Sequence, residues 1–128
     1  MTEASQVNDA IRRHLGPLGL FRRVEVATSL GWPDWYYRLH GVAGWLEAKI
    51  FTASLRPRKL TLEQVMWGEE EVRARGRWTL FGIEPRSRTW LAFDAPGARS
   101  LCDGAEATPT LRAVGPFPLK ELARLLCR

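Results

Sequence analysis

Three residues in the first half of the chain have types and a spacing suited to chemistry. Glu47 and Lys49 follow Asp34 by thirteen and fifteen residues. Side chains alternate between the faces of a strand, so Glu47 and Lys49 are predicted to project from the same side of a sheet. If His40 and Gly41 form a two-residue hairpin turn, Asp34 falls opposite Glu47. Directly opposed residues have Cβ atoms about 4.5–5.5 Å apart, so two carboxylates and an amine are predicted to converge.

Two neighbouring carboxylates beside an ammonium group favour metal-assisted hydrolysis. Close carboxylates repel each other, and a divalent cation bound between them removes that cost. Hard oxygen ligands suit Mg²⁺ or Mn²⁺. Such a cation polarises a phosphoryl oxygen and acidifies water, and a nearby ammonium can orient that water or stabilise developing charge. The spacing therefore predicts hydrolysis of a phosphodiester.

The patterning predicts an α/β (α+β) fold that would place these residues. Alternating and β-branched residues indicate five strands, over residues 21–28, 34–39, 45–51, 77–83 and 89–93. Helical spacing and capping signals indicate three helices, over residues 3–15, from Thr61 to Gly76 and from Pro118 onward. Residues 95–116 are rich in Gly, Ala, Pro and Thr and are interpreted as loop with at most one short strand. The predicted order is α-β-β-β-α-β-β-α, a mixed central sheet flanked by helices.

Composition indicates one globular domain over residues 1–128. No apolar run approaches the roughly 18–20 residues that span a bilayer, and the first residues lack a signal-peptide pattern, so we expect a cytoplasmic protein of a prokaryotic or phage-infected cell. The 19 Lys and Arg exceed the 14 Asp and Glu, which is compatible with a polyanionic partner. Cys102 and Cys127 form no CxxC pair, and His14 and His40 show no zinc-ligand spacing to them.

The region around the carboxylates resembles the PD-(D/E)xK nuclease family. Pro33-Asp34 followed by Glu47-Ala48-Lys49 matches its motif. The stretch before the aspartate, residues 29–34, is similar to that of Holliday-junction resolvases and VRR-NUC domains. Residues 60–64, with Trp67 shortly after, are similar to the same nucleases.

The resemblance covers roughly residues 3–93 and implies a restriction-endonuclease-like core. Two departures from the family stand out. The aromatic run at residues 35–37 replaces a more aliphatic strand, and the C-terminal part, residues 95–128, carries no motif of the family. The C-terminal part is therefore expected to be an addition of loop and short helix.

The resemblance also implies roles for the motif residues. Asp34 and Glu47 would ligate Mg²⁺ or Mn²⁺. The Ala48 carbonyl would add a ligand, and Lys49 would assist the nucleophile. Gln64 lies on the helix that follows the motif, where it is either part of the site or only the second half of a capping box with Thr61.

The family usually carries a further acidic residue on its first helix. Glu3 is the first choice, because it extends the apolar face of the predicted helix and would point inward. Asp9 and Glu25 are the alternatives. Glu3 has a competing structural explanation as a negative charge that stabilises a helix N-terminus.

Other residues are candidates for contact with nucleic acid. Trp32 and Trp35 flank the proposed site and can stack on a base or sugar, although most tryptophans are core residues. Three basic residues leave the catalytic strand in a loop that can meet backbone phosphates: Arg56, Arg58 and Lys59. A solvated loop is the alternative interpretation.

These observations together predict a divalent-metal-dependent DNA endonuclease. A site this small reads little sequence, so cutting of branched or otherwise structured DNA is expected, as in Holliday-junction resolvases. The resemblance implies 5′-phosphate ends and a homodimer. The alternatives are a non-catalytic nucleic-acid-binding module, an interaction protein, and a nuclease that acts on RNA.

Overall fold

The computed structural model describes residues 4–26 and 30–128. Its strands are β1 (Leu20–Arg23), β2 (Trp35–Leu39), β3 (Val42–Ile50), β4 (Trp78–Glu84), β5 (Thr89–Phe93) and β6 (Leu111–Val114). Its α-helices are α1 (Ser5–Ala10), α2 (Leu62–Arg73), α3 (Ala95–Cys102) and α4 (Leu119–Leu126). A π-helical turn (Ile11–Leu15) and a 3₁₀ turn (Gly16–Leu18) continue α1.

The six strands form one mixed sheet in the order β1-β2-β3-β4-β5-β6. β3 and β4 run parallel, and all other neighbours are antiparallel. Parallel strands need a crossover connection, which α2 supplies between β3 and β4. The predicted mixed sheet flanked by helices is confirmed.

The β2–β3 hairpin has the predicted turn and register. His40 and Gly41 both have positive φ, 50° and 78°, as a type I′ turn requires. Leu39 pairs with Val42, and the ladder continues to the pair of Trp35 and Leu46. The next position of this register sets residue 34 opposite residue 47, as predicted.

Helices cover both faces of the sheet. α1 and α4 pack on the face that carries Trp35, Tyr37 and Leu46, where their own buried side chains include Val7 and Leu122. α2 and α3 pack on the opposite face of β4 and β5, which carries residues such as Leu80 and Phe93. Within the described residues, no helix is long and apolar enough to cross a membrane.

The interpretation of residues 95–116 as loop with at most one short strand was wrong in one respect: β6 is such a strand, but the segment also contains the helix α3. The Asp94 side chain accepts a hydrogen bond from the Gly97 N–H at 2.8 Å and caps α3, and Pro96 lies in the first turn, where its missing N–H costs nothing. The residue types that indicated a loop are those that begin a helix. The order along the chain therefore gains a helix and a strand before the C-terminal helix.

Two predicted bounds also change. β1, predicted over 21–28, ends at Arg23, because its partner strand begins at the residue opposite. Residues 24–26 lie outside any strand. The first helix, predicted over 3–15, is α-helical to Ala10 and then widens into the π-helical turn.

Candidate functional site

The three motif residues Asp34, Glu47 and Lys49 line one cleft of about 440 Å³. Asp34 immediately precedes β2, and the other two lie on β3, on the sheet face toward α2. Three further basic residues line the same cleft: Arg23, Arg58 and Lys59. The cleft thus combines two carboxylates with several cations.

Asp34 is tied to β3 through the backbone. Its Oδ2 accepts a hydrogen bond from the Ala48 N–H at 2.8 Å. In the β2–β3 ladder this N–H faces β2 beyond the last pair of residues, Trp35 and Leu46. The side chain of Asp34 therefore accepts the hydrogen bond of a backbone N–H that β2 does not pair, and this contact fixes the Asp34 carboxylate beside Glu47.

The carbonyl of Ala48 faces the same space. In an antiparallel pair, alternate residues direct both their N–H and their C=O groups toward the partner strand. The hydrogen-bonded positions of β3 run from Val42 through residues 44 and 46 to Ala48. Since the Ala48 N–H reaches Asp34, its carbonyl points to the same side of β3, past the start of β2.

Glu47 is buried, with a 1% exposed surface, although it is a carboxylic acid. Its Oε2 lies 3.9 Å from Lys49 Nζ and 3.5 Å from Gln64 Nε2. Its Oε1 receives no hydrogen bond within the described part of the chain. Burial raises the pKa of Glu47 well above its ordinary value, and the neighbouring Asp34 carboxyl raises this pKa further, while Lys49 and Arg23 oppose the shift.

Lys49 is held from two sides. Its ammonium donates a hydrogen bond to the Lys59 carbonyl at 3.1 Å and forms the long ion pair with Glu47. Lys59 follows the loop after β3, and its φ of 58° places its backbone in the left-handed region. The loop after the motif strand therefore positions the ammonium over the carboxylates.

The donor set fits a hard divalent cation. Glu47 is a buried carboxylate whose Oε1 has no hydrogen-bond partner in the part of the chain that the structure describes, and Asp34 supplies a second carboxylate to the same cleft. Among residues 4–26 and 30–128, no group of three His, Cys, Asp or Glu side chains could share one ion. Mg²⁺ keeps several waters and often takes only one or two carboxylates, so Asp34, Glu47 and the Ala48 carbonyl are a sufficient protein contribution.

The candidates for an additional acid have different outcomes. Glu3 lies outside the described residues. Asp9 has a side chain 72% exposed and pairs with Arg12 at 3.3 Å on the surface, so it does not serve the cleft. Glu25 is exposed and borders a neighbouring depression.

The start of α1 does line the cleft, through Ala4 and Asn8. Asn8 is buried, and its Oδ1 accepts a hydrogen bond from Trp35 Nε1 at 2.9 Å. The indole of Trp35 is buried under α1, and this corrects the proposed stacking of Trp35 on a base. Trp35 supports the site from below and holds the first helix to it.

Gln64 completes the capping box and also lines the cleft. Its Oε1 accepts from the Thr61 N–H at 3.0 Å, and its own N–H donates to Thr61 Oγ1 at 3.2 Å, which completes the capping box. Its Nε2 points to Glu47 Oε2 at 3.5 Å. The cap of α2 therefore aims an amide donor at the buried carboxylate.

The basic loop after β3 divides into two parts. Arg58 and Lys59 line the cleft, as expected for residues that meet phosphate. Arg56 does not line this cleft, because its guanidinium donates to the carbonyls of Leu101 and Ala105 at 2.9 and 3.0 Å. Arg56 therefore fastens the loop to the end of α3, and its proposed phosphate contact is corrected.

Trp32 is part of a surface aromatic cluster next to the cleft. Its ring is 39% exposed and lies 5.9 Å from the Trp45 ring and 5.4 Å from the Trp67 ring. Tyr36 adds a further ring 5.1 Å from Trp45. Trp45 precedes Glu47 by two residues on the same face of β3, so the cluster adjoins the carboxylates.

Two residues of the cleft, Arg23 and Asn8, had no assigned role in the sequence. Arg23 is the last residue of β1. Its pairing with Trp35 follows from the β1–β2 register, which no turn signal in the sequence specifies. Strand alternation would not have found Arg23, because Arg23 shares the face of Trp35, toward α1, whereas Arg22 shares the face of Tyr36.

No known family model matches this sequence, and no curated protein is significantly similar to it. The likeness to PD-(D/E)xK nucleases accordingly remains a resemblance of motif residues. Function is inferred from the geometry of the cleft.

Proposed function

We propose that this protein is a divalent-metal-dependent DNA endonuclease with a PD-(D/E)xK-type site. One observation carries the proposal: Glu47 is buried beside Asp34, and one of its carboxylate oxygens has no hydrogen-bond partner among the described residues, in a cleft otherwise rich in cations. A binding module for a polyanion gains nothing from buried carboxylates at its centre, because they repel phosphate. A cation-dependent hydrolase requires them.

The chain's own residues divide the chemistry among them. Asp34 and Glu47 would hold Mg²⁺ or Mn²⁺, with the Ala48 carbonyl as a third donor. The bound cation would supply Lewis-acid polarisation and lower the pKa of water at the site. Lys49, already fixed by the Lys59 carbonyl, is placed to orient the attacking water or to stabilise the charge that develops on the phosphate.

The layout of α1, the β2–β3 hairpin, the α2 crossover and β4 supports a restriction-endonuclease-like core. In that interpretation α3, β6 and α4 extend the core along the β5 edge and beneath the sheet. The motif residues lie where the hairpin opens beyond its last pair, which leaves room for a phosphodiester.

The surroundings of the cleft suit a nucleic acid. Arg58 and Lys59 provide cations for backbone phosphates. The exposed Trp32 ring is the remaining candidate for stacking on an unpaired base. Because few side chains are placed to read base edges, we expect selection of DNA structure, such as junctions or flaps, and a homodimer that places two cuts.

Cleavage of labelled four-way junction, flap, duplex and single-stranded DNA tests the proposal, with Mg²⁺ or Mn²⁺ and with chelator. We expect cutting that depends on the metal and disappears in Asp34→Asn, while that variant still binds DNA. A matching RNA panel identifies the nucleic acid. A folded protein that binds DNA and cuts none of these substrates would instead be a binding module.

A further inference from the structure

Arg23 lines the cleft, and the proposed hydrolysis gives it no role. It ends β1, and its side chain is 25% exposed. Its Nη1 lies 3.0 Å from the Asp34 carbonyl oxygen and 3.2 Å from Asp34 Oδ1. We propose that Arg23 binds a phosphate of the substrate next to the cation, and that its ion pair with Asp34 is the contact it makes before substrate arrives. This inference rests on the proposed function.

The guanidinium of Arg23 is oriented before any substrate binds. The Asp34 carbonyl holds Nη1, and the centroid of the Trp35 ring lies 5.6 Å from Cζ. The hydrogen bond and the ion pair described for this side chain both use Nη1. A guanidinium carries further N–H donors on Nη2 and Nε, and their fork matches a phosphate group. Arg23 is therefore fixed at one nitrogen and keeps donors on the others.

Electrostatics favours a change of partner when the cation binds. In its absence, the Asp34 carboxylate is the nearest anion to Arg23. A cation shared by Asp34 and Glu47 neutralises that carboxylate and weakens its attraction for Arg23. The phosphate brought to the cation is then the strongest nearby acceptor, and arginine binds phosphate in bidentate geometry better than lysine does.

Packing alone does not explain Arg23. Arg12 also lies 5.6 Å from the Trp35 ring, on the surface side, so the indole already has a cationic neighbour. Arg23 contributes in addition to the field at Glu47, whose pKa it lowers. A residue that only packed against Trp35 would not need to reach Asp34.

The chain offers a matched control in Arg22. It has the same charge and lies one residue away on β1, but it is exposed and pairs opposite Tyr36 rather than Trp35. Strand alternation directs it to the face of Tyr36, and it is not among the described residues that line the cleft. A difference between Arg22→Gln and Arg23→Gln therefore measures position and not net charge.

The test compares wild type, Arg23→Gln, Arg23→Lys and Arg22→Gln for binding of a short labelled DNA at several salt concentrations, with Ca²⁺ as a trial non-cleaving cation. For Arg23→Gln we expect about a tenfold loss of affinity and a salt slope smaller by about 1, the contribution of one phosphate contact. Arg23→Lys should restore the slope but only part of the affinity. Arg22→Gln should stay within about twofold of wild type.

Binding of Mn²⁺ without DNA provides the second measurement, because it reports whether the carboxylates remain in place. Arg23→Gln should bind Mn²⁺ at least as well as wild type, since a competing cation is gone. Unchanged DNA affinity and salt slope in Arg23→Gln would overturn the inference. Loss of Mn²⁺ binding in both Arg23 variants would also overturn it, because it would indicate that Arg23 has a structural role. If Arg23→Gln loses DNA affinity and salt slope as expected but the wild-type protein cuts none of the DNA substrates, the nuclease proposal is refuted and the phosphate contact of Arg23 stands.

Discussion

Glu47 and Glu84 are two buried glutamates on neighbouring parallel strands, with 1% and 6% of their surfaces exposed. The carboxylate of Glu84 accepts hydrogen bonds from the N–H of Arg86 at 2.8 Å, and from the N–H and hydroxyl of Ser87 at 3.0 and 2.8 Å. These backbone hydrogen bonds, followed by the hydroxyl, lower the pKa of Glu84. Burial and Asp34 raise the pKa of Glu47.

The contrast separates a carboxylate that its own turn satisfies from the carboxylate that we propose as a metal ligand. Glu84 closes the turn between β4 and β5, and the turn itself supplies every donor. Glu47 has one oxygen without a donor and a second acid beside it. Buried polar groups are nearly always satisfied within a protein, so a carboxylate left incomplete indicates a partner that comes from outside.

Cleavage gives the largest expected difference between the two residues. Glu47→Gln should lower the single-turnover rate by about 10³-fold or more, because it removes a metal ligand. Glu84→Gln should leave the rate within a few-fold of wild type. Equal rates for the two variants would contradict the assignment of Glu47 to the site.

Metal affinity should depend on pH through Glu47 and not through Glu84. The cation requires the ionised carboxylate, and the pKa of Glu47 is raised, so Mn²⁺ binding should strengthen as pH rises through that pKa and release a proton. Titration calorimetry in buffers of different ionisation enthalpy measures the release. Glu47→Gln should weaken binding at least about tenfold and abolish the pH dependence, whereas Glu84→Gln should change neither.

Glu47 and Glu84 should make the free energy of unfolding depend on pH in opposite directions. The folded state raises the pKa of Glu47, so it binds more protons than the unfolded chain, and Glu47 makes the protein less stable as pH rises above the ordinary glutamate range. Glu47→Gln should therefore stabilise the metal-free protein by roughly 1 kcal/mol at neutral pH. The pKa of Glu84 is lowered, so its contribution is present above the ordinary pKa and is lost as pH falls through the folded value.

Glu84→Gln should accordingly lower the melting temperature at neutral pH and lose this effect in acid. Urea unfolding across mildly acidic to mildly basic pH, with chelator present, follows both variants. A fall in stability for Glu47→Gln at neutral pH would mean that Glu47, like Glu84, is a satisfied structural carboxylate.

Substitution of Gln64 should have the smallest effect on cleavage. It tests whether the amide donor beside Glu47 contributes to that residue's role. Gln64→Glu keeps a residue that completes the capping box but removes the amide donor near Glu47, so cleavage should fall about tenfold with α2 intact. Thr61→Ala should instead cost about 1 kcal/mol of stability from the lost cap and leave cleavage nearly unchanged. The reverse pattern would make Gln64 a capping residue alone.

The sequence by itself determined the features that depend on near neighbours. The His40-Gly41 turn, the register that sets Asp34 against Glu47, and the capping box at Thr61 all connect residues less than fifteen positions apart. Turn geometry and strand alternation act over that range, so residue types were sufficient. The helix α3 is local too, but its Asp, Pro and Gly residues are common to loops and helix starts, and the pattern was misread.

Only the tertiary structure decided what surrounds those residues. Arg23 reaches Asp34 because β1 pairs with β2 across a connection without a turn signal, and Arg56 fastens to residues of α3 far along the chain. Trp35 is buried because α1 folds over its face of the sheet. The pKa of Glu47 depends on its burial and on Asp34, Lys49 and Arg23 together, because desolvation and nearby charge are properties of packing and not of spacing along a strand.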